Sequence, residues 1–342
     1  MLKSFDVKVK KQVSMRRTEI ILRGNTQYKM DRILKYKIEQ SDNGTTVGDF
    51  LKRHGYSHPI IVHLKKTENG ILLNGKWSYV RSVLTTGDLL EIHLIENQSS
   101  ENIPPTEISD EDFYKMTVYE DEDILLINKP AGLPVHPSLG HYEDTLANYC
   151  AYHYLHNNSE KSARLSEKND TNFIFRCVNR LDRDTSGLVL IAKNMLSSCI
   201  LSNEQLSRNI HRTYLAIVEG STPSLGTITY PIARKAESII ERCVDMENGD
   251  SAVTHYETID TKNDYSLVKI QLETGRTHQI RVHMKAIGHP LPGDFLYNPD
   301  FTHIKRQALH SYRLEFTHPI TGKALSFSQN PPEDFFFENW EF

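Results

Sequence analysis

The sequence predicts an α+β protein of two or three domains, and three observations predict it. Strand-like stretches recur along the chain, some alternating (residues 33–39) and some continuously apolar (residues 124–128 and 187–192). Between them lie short stretches of helical spacing, with caps before them and Gly or Pro after them. A polar, acidic, Pro-containing segment at 97–112 reads as a linker between a small first part and a larger second one. The 342 residues are enough for ample core, and 38% hydrophobic with 25% charged residues is ordinary for a soluble chain. No run approaches the ~18 apolar residues of a membrane span, and the N-terminus has no apolar signal core. The four cysteines are scattered without a Cys-x-x-Cys pair, which favours reduced thiols in the cytoplasm over disulfides or a zinc site.

Taken in order, residues 1–30 show no clean period and read as a basic extension. Residues 1–40 hold eleven Lys and Arg against four Asp and Glu, a local +7 inside a chain of net charge -4. Local density, not the total, governs phosphate binding. A strand at 33–39 leads through a loop to a helix at 47–54, with Phe50 and Leu51 inward and Gly55 as its stop. A second helix at 57–66 carries Ile60, Ile61 and Leu64. Residues 71–73 form a strand before the Asn74-Gly75 turn, and 89–94 form another after Thr85-Thr86-Gly87-Asp88.

In the second part, a strand at 124–128 runs into Lys129-Pro130-Ala131-Gly132-Leu133-Pro134-Val135-His136-Pro137, a loop whose prolines fix its path. Residues 145–155 look helical. His153 and His156 read there as a polar face and not as metal ligands, since the carboxylate and fourth ligand of a zinc pattern are missing. Residues 157–170 read as a surface insertion. Asn194 caps a helix running to about 208, with Leu196, Ile200 and Leu201 inward. Residues 211–220 alternate as a strand with Tyr214, Ala216 and Val218 on one face. A strand at 265–272 precedes a helix at 277–287, where Ile280, Met284 and Ile287 share a face and Gly288 and Pro290 end it. His278, His283 and His289 match no metal-binding spacing. Strands close the chain near 308–316 and 324–327.

The chemistry concentrates in Asn179-Arg180-Leu181-Asp182-Arg183-Asp184-Thr185-Ser186-Gly187. Two arginines and two aspartates stand in five residues between two apolar strands, far more charge than a turn needs. Arg180-Leu181-Asp182 followed by Thr185-Ser186-Gly187-Leu188 resembles the signature of the RluA-family RNA pseudouridine synthases, His-Arg-Leu-Asp-x-x-Thr-Ser-Gly-Leu, with Asn179 where that family usually has His. The loop at 129–137 resembles the family's first motif. His211-Arg212-Thr213-Tyr214-Leu215-Ala216-Ile217-Val218-Glu219-Gly220 resembles its Lys/Arg-x-Tyr-x-Ala-x-Val-x-Gly motif. The stretch from Thr274-Gly275-Arg276-Thr277-His278-Gln279-Ile280-Arg281 to Gly293-Asp294 resembles its third. The resemblance covers roughly 118–328. A looser one, over 31–96, is to the small RNA-binding domain of ribosomal protein S-four type.

The resemblance implies a catalytic domain (113–342) built on a mixed, mostly antiparallel sheet flanked by helices and loops, behind a small α+β RNA-binding domain (31–96). It implies an isomerase that turns uridine into pseudouridine in structured RNA, ribosomal RNA first and tRNA second, acting as a monomer with no cofactor, metal or membrane. Asp182 would be the nucleophile, Arg281 its buried partner and Tyr214 the ring that stacks on the base. Arg180 would displace the base, and Arg183, Lys129, Arg276 and His278 would contact RNA. Two other readings share the residues: an RNA-binding protein of the same fold without chemistry, and a hydrolase of the uridine N-glycosidic bond.

Overall fold

The computed structural model describes residues 32–95, 103–138, 140–162 and 174–336. The basic extension and the start of the 97–112 segment lie outside them. The first unit comprises β1 (Arg32–Lys37), α1 (Val47–Arg53), α2 (His58–Lys66), β2 (Ile71–Leu73), β3 (Lys76–Trp77) and β4 (Leu89–Leu94). Its four strands pair antiparallel in the order β1-β4-β2-β3. Asn74 and Gly75, both at positive φ, make the two-residue hairpin between β2 and β3. Thr46 caps α1 by accepting from the Asp49 amide. Alternation along β4 turns Leu90, Ile92 and Leu94 onto Phe50, Leu51, Ile61 and Leu64. Each such fully buried side chain contributes roughly 1.5–3 kcal/mol.

The second unit comprises α3 (Asp110–Met116), β5 (Thr117–Glu120), β6 (Ile124–Lys129), α4 (Leu146–Ser162), β7 (Arg176–Cys177), β8 (Ser186–Ala192), α5 (Met195–Leu206) and β9 (His211–Glu219). It continues with β10 (Leu225–Ile228), β11 (Ile232–Arg234), β12 (Arg242–Val244), β13 (Thr254–Lys262), β14 (Tyr265–Leu272), α6 (Gln279–Ala286), β15 (Leu309–Thr317) and β16 (Ala324–Ser328). Ten strands form one mixed, mostly antiparallel sheet in the order β10-β13-β14-β9-β15-β8-β6-β5, with β16 on β15 and β7 on β8; β15–β8 is the parallel pair among the described strands. Every residue of β8 is buried, as its unbroken apolar run requires of a central strand. Alternation on β9 sends Tyr214, Ala216 and Val218 to one core, shared with α4 and α6, and Leu215 and Ile217 to another. Where β15 meets β8, a Cβ on Gly187 (φ 110) would stand 2.3 Å from the Ser311 carbonyl oxygen, so that contact requires glycine.

Several expectations need correcting. The segment read as a linker is docked against the second unit from Ile103 on. Ile103 and Ile108 pack on the large core, Asn148 donates to the Pro104 carbonyl, and Ser109 caps α3. Helix α4 continues to Ser162, so the expected insertion begins as helix. His153 is not on a polar face: it is buried and stacks on Phe113 at 3.9 Å between ring centroids. Of the apolar strand expected before the Asp182 loop, the described part is short: Arg176 and Cys177 pair with β8, and Val178 N–H donates to the Leu190 carbonyl.

The two units meet at the start of α5. Leu196 lies within the first unit's core, with Met195, Cys199 and Ile200 against it. Arg32 clasps Asp123 through Nε (2.9 Å) and Nη2 (3.0 Å), and Asn194 donates to the same carboxylate. No helix among the described residues is long and apolar enough to cross a membrane.

Candidate active site

β7 and β8 are antiparallel neighbours, and the loop between them carries Asp182. Asn179 holds the loop's root. Its side chain is buried, donates Nδ2–H to the Leu188 carbonyl (3.0 Å) and accepts the Leu190 amide on Oδ1 (2.8 Å). It thus substitutes for missing ladder bonds and points into the sheet, away from the cleft. Leu181 is anchored in the core, and Thr185 N–H donates to the Asp182 carbonyl to close the turn. Asn179→Ala strips the buried Leu190 amide of its acceptor, while the Leu188 carbonyl keeps the Ser311 hydroxyl, and is expected to cost about 1–3 kcal/mol. Asn179→His is expected to change the single-turnover rate by less than about tenfold. A hundredfold gain for the His variant would place position 179 in the chemistry.

The Asp182 carboxylate accepts from Arg281 Nη1 at 2.8 Å, and His278 Nε2 lies 4.0 Å from its other oxygen. Burial alone would raise this carboxyl's pKa. The charge of His278 where its ring is protonated, the charge and hydrogen bond of Arg281, and nearby Lys129 outweigh it and hold the pKa below the usual carboxylate range. Arg281 is 2% exposed and donates Nε–H and Nη2–H to the two oxygens of fully buried Asp294, both at 2.6 Å. Its guanidinium lies over the Tyr297 ring at 4.9 Å and the Phe295 ring at 5.7 Å. One arginine therefore joins two carboxylates. Burial works against its charge, but Asp294 and Asp182 more than restore it and raise its pKa.

α6 starts from an unusual backbone. His278 caps it in the left-handed region (φ 58), with its Nδ1 on the Tyr297 hydroxyl at 2.9 Å. Gln279 fixes the approach: its Oε1 accepts from Arg276 N–H and Thr274 Oγ1, and its Nε2 donates to the Val253 carbonyl and Thr254 Oγ1. Burial lowers the His278 pKa, so the ring is neutral at pH 7. Tyr214 enters from β9, buried, and burial raises its phenol pKa so that it keeps its proton.

These groups line a cleft of about 250 Å³, with Arg180, Arg212, Tyr214, Arg276, His278 and Arg281 around Asp182. Arg180 is exposed and has no hydrogen bond or ion pair among the described residues. Arg276 also lines the cleft, held by the Ser251 carbonyl and Asp250. Two of the residues expected to contact RNA do not line the cleft. Arg183 is turned onto its neighbour Asp184 in a two-bond pair. Lys129 is fully buried, its three N–H groups given to the carbonyls of Pro130, Leu133 and Arg183 at 2.7–2.8 Å. It ties the loop at 129–137 to the Asp182 loop instead of reaching solvent. Burial pulls its ammonium down to about 7 despite the pull of Asp182 and Asp184. The histidines weighed as metal ligands hold different partners: His283 bonds Thr254 and the Tyr230 carbonyl, and His289 the Glu219 carbonyl. Sequence reasoning passed over Asp294, Gln279 and Arg212.

Comparison with known proteins follows the same residues. Positions 123–286 match the family described as RNA pseudouridylate synthase. Over 294 residues the chain is 38% identical to the uncharacterized RNA pseudouridine synthase YjbO of Bacillus subtilis (strain 168), covering 84% of this chain and 96% of that protein. Over 285 residues it is 36% identical to ribosomal large subunit pseudouridine synthase D of Buchnera aphidicola subsp. Schizaphis graminum (strain Sg), covering 78% of this chain and 84% of that protein. Among solved structures, human RNA pseudouridylate synthase domain containing 4 superposes with a TM-score of 0.50 at 22% identity, over 66% of this chain and 92% of that one, a likeness of fold.

Proposed function

The chain belongs to the RNA pseudouridylate synthase family and converts uridine to pseudouridine in RNA; on that premise we propose that its cleft takes one flipped uridine of a structured RNA, ribosomal RNA first, and that Asp182 is the nucleophile. The single observation that carries the assignment is the Asp182–Arg281–Asp294 chain, an ionised carboxylate held by a buried arginine at the wall of a cleft. A carboxylate kept ionised and aimed by a fixed donor is what attack beside the glycosidic bond requires. The bond from C1′ to N1 breaks, the base turns within the cleft, and C1′ rejoins at C5. The C5 proton is lost and N1 gains one, so the reaction is an isomerisation and consumes nothing.

Tyr214, held protonated by burial, covers the base as a stacking surface. Arg180 at the exposed rim fills the space the base leaves, offsetting part of an unstacking cost of a few kcal/mol. The S-four-like reading of the first unit and the +7 of residues 1–40 support phosphate contacts beyond the cleft. A ribosomal target rests on the name of the Buchnera relative, and a cytoplasmic monomer remains the working expectation.

Pseudouridine mapping of cellular RNA with and without the protein tests this reading. One or a few uridines should lose the mark when the protein is absent. Free uracil as the product would establish the hydrolase instead, and unchanged RNA that still binds would establish a non-catalytic binder.

A further inference from the structure

Arg212 enters the cleft from β9 two residues before Tyr214 and on the same face of that strand. It is 7% exposed, its Nε is buried without an acceptor, and its guanidinium makes no hydrogen bond or ion pair among the described residues. The other buried arginine of the cleft, Arg281, is answered by two carboxylates, and even exposed Arg276 is held by the Ser251 carbonyl and Asp250. A buried cation without a counter-charge destabilises the fold that holds it. The chain nevertheless keeps room for it. A Cβ on Gly275 would stand 2.8 Å from Arg212 Nη1. Asp182 is the one acidic residue among those lining the cleft, and Arg281 already engages it. The missing partner must therefore arrive with the substrate.

Its chemistry follows from the guanidinium. Arginine offers donors only, in a planar fork. The pairing edge of uracil sets an N3–H between its two carbonyls, so a fork laid on it brings donor against donor. The two non-bridging oxygens of a phosphodiester are adjacent acceptors carrying the required charge. Along the strand Arg212 and Tyr214 are about 7 Å apart, within the span of one nucleotide. We propose that Arg212 is the seat of a phosphate flanking the target uridine, holding the nucleotide's backbone while Tyr214 holds its base. This rests on the uridine reading of the cleft.

The test uses the full-length protein and two small probes, uridine and uridine 3′,5′-bisphosphate, with inorganic phosphate as a control. Wild type should bind the bisphosphate more than about tenfold tighter than uridine, and Arg212→Gln should cut that preference to about twofold while leaving uridine affinity unchanged. Gly275→Ala, which pushes the guanidinium aside, should weaken the preference partway. Relief of the unpaired charge should leave the Tm of Arg212→Gln equal to or above that of wild type. No preference in wild type, an equal loss for both probes, or a lowered Tm in Arg212→Gln would each overturn the phosphate seat. Activity is read separately by the RNA mapping. A phosphate preference without pseudouridine would sink the enzymatic reading and keep the seat, and pseudouridine without the preference would do the reverse.

Discussion

Asp182→Asn is expected to abolish pseudouridine formation, by at least about a thousandfold in single turnover, while leaving the fold and most RNA affinity in place. The amide has the carboxylate's shape but not its nucleophilicity. Arg281 keeps its second carboxylate, Asp294, so the substitution leaves no buried cation unpaired. The measurement is pseudouridine yield with enzyme in excess over RNA, beside a thermal melt of the variant. Turnover at even a tenth of wild type would sink the nucleophile assignment. A pH profile checks the same group. The Asp182 pKa is depressed, so its ionised form is fully present through neutrality and is lost only as pH falls through that depressed value. His278 is held neutral at pH 7 and should add no step between pH 7 and 8. An acid limb centred above pH 6 would assign the essential ionisation to another residue.

Arg281→Met should lose both rate and stability, because it strips two carboxylates of their common partner. Asp294 is fully buried, and leaving it charged and unpaired costs about 3–5 kcal/mol. The two losses are separable. In Arg281→Met/Asp294→Asn the amide oxygen still accepts the Leu296 and Tyr297 amides, and the stranded charge is gone. Most of the stability should return in that double variant while the rate stays low, since Asp182 still lacks its donor. Recovery of activity together with stability would mean that Arg281 acts only as scaffold. Failure of the melt to recover would mean that Asp294 is not the stranded group.

How much of this could be read from the chain varies with the range of the interactions. The Asp182 loop was legible because both flanking strands and the charged turn between them are contiguous. α6 was legible from the spacing of Ile280, Met284 and Ile287. Lys129 misled because its burial depends on Arg183, fifty-four residues away in sequence, whose carbonyl completes its set of acceptors. Asp294 looked like part of a turn after Gly293, and nothing local shows that it meets an arginine one helix earlier. Arg212 is different: the alternation that put Tyr214, Ala216 and Val218 on one face also puts Arg212 there, and a charge on a core face was the available signal. The docked segment after Ile103 was hidden by composition, since two isoleucines among prolines and acids do not look like core.

The placement of Leu196 in the first unit's core also sets an order of events during synthesis. Leu94 and Leu196 are about a hundred residues apart, so at roughly 5–20 residues per second the first unit waits some 5–20 s on the ribosome for its last core side chain. Until then the pocket that receives Leu196 is open to water. Final closure of the amino-terminal unit thus coincides with the appearance of α5, whose far end supplies Gln205 to the cleft wall. A nascent chain stalled before residue 196 should be cut by protease between residues 32 and 95 far more readily than the finished protein.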